Sequence, residues 1–143
     1  MEILYSDARI IVCIKPVGLD SEHDMPRQLQ EQFGGEIFTL HRLDQNVGGV
    51  MVYAKTREAA AKLSAAVQQN KLEKEYTAIV CGALTPAEGE MRDYLFKDSA
   101  KNKSFVVDGA RKGAKEAILS YVTADTRTHE GNALTRVKIR LQT

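Results

Sequence analysis

The longest uninterrupted aliphatic run in this 143-residue chain is Ile10-Ile11-Val12-Cys13-Ile14. A run this short suits a buried strand and falls far below the roughly 20 residues that a membrane-spanning helix needs. Pro16 and Gly18 stop it, because proline lacks the amide that a ladder requires and glycine packs nothing. The same short rhythm recurs. Ile3 to Tyr5, Val50 to Ala54, Tyr76 to Cys81 and Ala117 to Val122 read as strands, and Ile37 to Leu40 is a short apolar segment. Near the end, Val137, Ile139 and Leu141 alternate with Arg136, Lys138, Arg140 and Gln142. That is a half-buried strand with a cationic outer face. A strand ending with no cap, turn or polar tail is expected to leave an open sheet edge.

Helical spacing is confined to two places. Residues 57–70 place Ala59, Ala60, Leu63, Ala66 and Val67 on one stripe, with Thr56 as N-cap and Asn70 as stop. Residues 27–33 form a shorter helix closed by Gly34-Gly35. Glu90 to Phe96 is ambiguous, and residues 97–113 read as an exposed excursion, a hairpin with Phe105-Val106-Val107 as one strand. Many short strands with two helices give an α+β class with an antiparallel or mixed sheet. The length fits one domain, and 43% hydrophobic with 27% charged residues excludes wholesale disorder. Cys13 and Cys81 both lie in apolar stretches and read as reduced core thiols. With no basic-then-apolar start, the expected location is the cytoplasm.

The net charge of +1 hides an uneven distribution. Lys97, Lys101, Lys103, Arg111, Lys112 and Lys115 face only Asp98 and Asp108 within residues 97–115. Such a patch can attract phosphate backbones, although a solvated loop has the same composition.

The densest chemistry lies in His41-Arg42-Leu43-Asp44-Gln45-Asn46-Val47-Gly48-Gly49. On an extended stretch, Arg42 and Asp44 would project to the same side, and the guanidinium would favour the ionised carboxylate. By itself this pattern equally describes a surface ion pair beside a tight turn. Lys15, ahead of Pro16, reads as a solvated strand end. His23, His41 and His129 match no short metal-ligand spacing, so no metal site is expected.

Order supplies the context. Lys15-Pro16-Val17-Gly18 follows the first buried strand, His41-Arg42-Leu43-Asp44 precedes the next, and Lys74-Glu75-Tyr76-Thr77-Ala78 opens a third. These K-P-x-G, H-R-L-D and K-x-Y-x-A segments, in this order, closely resemble the RluA-type family of RNA pseudouridine synthases, from about Ile3 to Thr143. The resemblance implies a central mixed, largely antiparallel sheet flanked by helices, and isomerisation of uridine to pseudouridine in structured RNA, whether ribosomal or transfer RNA. It makes Asp44 the catalytic carboxylate, as nucleophile at C1′ or base at C2′. It assigns Arg42, Tyr76 and His41 to substrate binding: Tyr76 against the uracil, Arg42 in the gap left by the flipped base, and His41 as a motif neighbour without a specified role. Lys15 and Gly18 would shape the wall of the site. The reaction involves no net oxidation or hydration, so neither cofactor nor metal is expected. The bacterial flavour of the motifs suggests the cytoplasm, and the resemblance implies RNA as partner, no membrane partner and a monomer when complete.

Two departures accompany the match. Val47 and Gly48 stand where the family carries hydroxyl residues, which places the order of the Asp44 loop in doubt. The family's later G-R-x-H-Q-I-R segment does not occur, so residues 1–143 are expected to be the N-terminal portion of a single catalytic domain, incomplete at the C-terminus. The alternative reading is a noncatalytic RNA-binding or interaction fragment that keeps the synthase fold.

Overall fold

In the computed structural model, which describes residues 1–101, 103–109 and 111–143, the short apolar runs become strands of two antiparallel sheets. The chain divides into two compact units, Met1–Leu72 and Glu73–Thr143. The α+β class expected from the sequence holds, with the strands shared between the two sheets.

The first unit contains β1 (Glu2–Ser6), β2 (Ile10–Lys15), α1 (Asp24–Phe33), β3 (Phe38–Thr39), β4 (Gly49–Ala54) and α2 (Arg57–Gln68), with sheet order β1-β2-β4-β3. Along β2 the odd positions Ile11, Cys13 and Lys15 are buried, and they pair with Tyr53, Met51 and Gly49 of β4. Met25 and Leu29 of α1 complete this core, with Ile37 beside them. Burial pushes the Cys13 thiol up to about 11, so it behaves as an apolar packing group. The α2 stripe packs near β3 and β4 with Ala59 buried. Thr56 caps α2 by accepting the Ala59 amide at 3.2 Å. Asn70 ends it at φ 53, with the Asn70 and Lys71 amides closing onto the Val67 and Ala66 carbonyls. This is a Schellman closure, and asparagine tolerates its left-handed position better than most residues.

The second unit contains β5 (Lys74–Cys81), β6 (Glu88–Asp98), β7 (Lys103–Val107), β8 (Lys115–His129) and β9 (Asn132–Leu141), in the order β5-β9-β8-β6-β7. The ambiguous segment at 90–96 is strand, because it pairs with β8 on one side and with β7 on the other. The hairpin expected around Phe105 is present. The final strand is not an edge: β9 is paired by β5 and β8 on its two sides. Its alternation holds, with Thr135 and Val137 buried and Arg136, Lys138 and Arg140 exposed. Cys81 corrects the expectation of two core thiols. It is exposed, because β5 turns its odd positions Glu75, Thr77, Ile79 and Cys81 to solvent.

The turn into α1 is held by Asp20, whose Oδ1 accepts the Glu22 and His23 amides, both at 2.8 Å, and contacts His23 Nδ1 at 2.9 Å. The Glu22 amide above all, then the His23 ring and amide, keep this carboxyl below its ordinary value. A group lowered in the folded state stabilises the fold above its unfolded value, near 3.9, and loses that contribution as pH falls through the folded value. The Asp20→Asn variant is therefore expected to show a flatter acid limb of stability below about pH 4 than the parent, measured by urea unfolding across that range.

Candidate active site

Lys15 begins the site. It continues the buried face of β2 and is 0% exposed. An ammonium has three protons to donate, and three carbonyls receive them: Pro16 at 3.1 Å, Leu19 at 2.8 Å and Gln45 at 3.3 Å. The reading of Lys15 as a solvated strand end is thus overturned. Its stem extends the apolar stripe, and its charge is matched by main-chain dipoles rather than water.

Those carbonyls belong to two loops, and further bonds fasten them together. The Gly18 amide donates to the Gln45 carbonyl at 2.8 Å, while Gln45 Nε2 donates back to the Gly18 carbonyl at 2.8 Å. Gly18 has φ +97, which favours glycine. Ser21 Oγ donates to the Leu43 carbonyl at 2.9 Å and accepts the Leu43 amide at 3.3 Å. Ser21 is itself held by the buried Tyr53 hydroxyl, which donates to its carbonyl at 2.9 Å. At Gly48 an added Cβ would meet the Lys15 carbonyl and a Val17 methyl at 3.3 Å, so the two loops are in close contact there as well. The segment that lacks the expected hydroxyls at 47 and 48 is held by this other set of bonds.

Between these fastenings lies Asp44. Its carbonyl accepts the Val47 amide at 2.9 Å, so it heads a four-residue turn. Its side chain is exposed. The backbone at 42–44 is irregular, not a strand, and the expected Arg42–Asp44 pairing is replaced by an ion pair from Arg42 to Glu22 at 3.2 Å. Both partners of that pair are solvent-accessible, and such pairs contribute about 1 kcal/mol or less. The guanidinium can therefore exchange Glu22 for another anion at little cost. The His41 ring is turned to the sheet, where its Nε2 accepts the Val52 amide at 3.2 Å.

Tyr76 lies in the second unit. Even positions of β5 form its half-buried face. Tyr76 stands opposite Ile139, which stands opposite Tyr121. A cavity of about 470 Å³ runs across this row, lined by Tyr76, Tyr121, Val122, Lys138 and Ile139 among others. Among the described residues no group of three or more His, Cys, Asp or Glu comes together as a metal site. Sequence reasoning missed Ser21, Gln45 and Tyr53 as supports of the loop. A serine in a polar stretch, a glutamine in a variable position and a tyrosine in an apolar strand carry no local signal of that role.

The sequence profile of the RNA pseudouridylate synthase family matches residues 9–143. The chain belongs to this family. The RluA-type resemblance of its three motifs is thereby confirmed. Among curated relatives, tRNA pseudouridine synthase C of Vibrio parahaemolyticus is 32% identical over 130 residues, covering 85% of this chain and 52% of that protein. The protein of the same name from Haemophilus ducreyi is 36% identical over 106 residues, covering 68% and 43%. The chain thus spans about half the length of these relatives. The solved structure of human RNA pseudouridylate synthase domain containing 1 superposes with TM-score 0.87 at 18% identity, covering 99% of this chain and 59% of that one. Human RNA pseudouridylate synthase domain containing 4 gives 0.79 at 21%, with the same coverages. At these identities the structural likeness shows a shared fold.

Replacing Lys15 by methionine keeps the stem and removes three donors. The Lys15→Met variant is expected to lose about 1–3 kcal/mol of stability in urea unfolding. It should also exchange the Gly18 amide faster in hydrogen-exchange NMR.

Proposed function

We propose that this chain is the N-terminal portion of a catalytic domain that isomerises uridine to pseudouridine in transfer RNA, with Asp44 as the reacting carboxylate. The observation that carries the reading is an exposed aspartate on a turn whose flanks are fixed by hydrogen bonds to a neighbouring loop. A carboxylate that attacks C1′, or takes the proton at C2′, must be accessible yet held in place. The choice of transfer RNA follows the names of the relatives. Tyr76 supplies an aromatic face against which a uracil can stack, worth about 1–3 kcal/mol per base. Arg42, weakly held by Glu22, is available to fill the gap left by an extruded base. Cytoplasmic location and a monomeric state belong to the same reading. Among the described residues no helix is long and apolar enough to cross a membrane.

The β6–β7 hairpin supports an RNA partner. Lys97, Lys103 and Lys112 are exposed on and beside it. Arg111 lies 3.9 Å from the centre of the Phe96 ring and Lys101 5.9 Å from that of Phe105. Cations interleaved with aromatic rings suit phosphates and unstacked bases.

Tritium release from tRNA labelled at uracil C5 tests the activity. Release is expected from the unaltered chain, and the Asp44→Ala variant should lower it by about 10⁴-fold or more while still binding tRNA. Because the chain spans about half of its relatives' length, tRNA binding with no release by the unaltered chain would favour the alternative of a noncatalytic RNA-binding fragment. Replacing Lys97, Lys103 and Lys112 together by alanine should flatten the slope of log affinity against log salt by about 2, as expected when three phosphate contacts are lost.

A further inference from the structure

β3 pairs with β4 only at Phe38 and Thr39, opposite Ala54 and Tyr53. Among the described residues, no strand pairs with the rest of β4 on that side. The amide of Val52 is taken up by a side chain instead, donating to His41 Nε2 at 3.2 Å. A ring nitrogen that accepts an amide proton carries none of its own. The imidazole is therefore neutral, with its proton on Nδ1. An imidazolium has no lone pair to offer at Nε2, and the Nε2–H tautomer would set two N–H groups against each other.

This contact prolongs the β3–β4 ladder by one rung at a particular place. His41 directly precedes Arg42 and stands three residues before Asp44. Leu43, between those two, is held through both its backbone groups by Ser21. The strand-to-loop passage is thus tied to β4 through His41 and to the 15–21 segment through Leu43. The first tie thus holds the chain to β4 beyond Thr39, and the second holds it at Leu43.

We propose that His41 is a positioning residue for Asp44: its unprotonated Nε2, by accepting the Val52 amide, fixes where the chain departs from β4 and hence where the carboxylate is presented. The proposal rests on the reading of Asp44 as the reacting group. It gives His41 a function distinct from contact with RNA, and it requires one tautomer of one charge state.

The ring can be read directly. In the ¹⁵N-histidine-labelled chain, long-range ¹H–¹⁵N spectra near neutral pH are expected to show His41 with Nδ1 protonated and Nε2 bare. A charged ring, or a proton on Nε2, would overturn the proposal. Two variants test the consequence. His41→Phe keeps the bulk and removes the acceptor, whereas His41→Gln offers an amide oxygen near the position of Nε2. The Phe variant is expected to lose about 10- to 100-fold in kcat with KM for tRNA changed by no more than about twofold. It should also exchange the Val52 amide faster. The Gln variant should recover most of both properties. A Phe variant with raised KM and unchanged kcat would mean that the ring touches RNA, and would overturn the assignment, as would a Gln variant no better than Phe. The nitrogen spectra are read on the unaltered chain, so they decide even if the Phe variant fails to fold. Failure of the Asp44 reading would show separately, as normal turnover by Asp44→Ala.

Discussion

A buried ammonium organises the first unit. Taking a charge out of water costs several kcal/mol unless polar partners replace the solvent. Lys15 meets that requirement with three carbonyls drawn from two loops. The cost of leaving any of these groups unmatched holds both loops in place: the 15–21 segment must fold back over the end of β2, and Gln45 must come to it. The Gly18, Gln45, Ser21 and Leu43 contacts act within the space this charge defines. Packing by Met25, Leu29, Met51 and Tyr53 supplies the apolar floor, and the lysine joins that floor to the loop above it.

The result is a division of labour between rigid backbone and accessible side chains. Asp44 and Arg42 are both exposed, and neither contributes much to holding the loop. Arg42 has a weak partner in Glu22, while Asp44 contributes its carbonyl to a turn and leaves its carboxylate to solvent. A fixed backbone and an accessible carboxylate are thus provided by separate atoms.

How much of this could be read from the chain depends on the range of the interactions. Elements governed by local pattern were legible: β2 as a buried strand, the α2 stripe with its Thr56 cap and Asn70 stop, and the alternation of β9. Positions decided by distant partners were not. Whether β9 lies at an edge depends on β5, more than fifty residues earlier in the chain. The exposure of Cys81 depends on which face of β5 is covered. Lys15 looks solvated until two loops converge on it, and the partner of Arg42 is a glutamate from another loop, not the aspartate two residues away. The order of the three motifs named the family where no single residue could. The supports of Asp44, namely Ser21, Gln45 and Tyr53, stayed hidden because nothing in their immediate neighbours distinguishes them.

One property of the clamp reaches beyond this chain. The bonds that Lys15, Gly18, Gln45 and Ser21 make between the two loops, like the one from Tyr53 that anchors Ser21, terminate on main-chain atoms. A peptide carbonyl or amide is the same whichever residue bears it, so the clamp grips the path of the chain and is largely indifferent to the side chains along it. Val17, Asn46 and Val47 can therefore drift, and the hydroxyls at 47 and 48 can be dispensed with, while Asp44 keeps its place. A loop held in this way can accumulate changes on its outward surface without first having to rebuild its support.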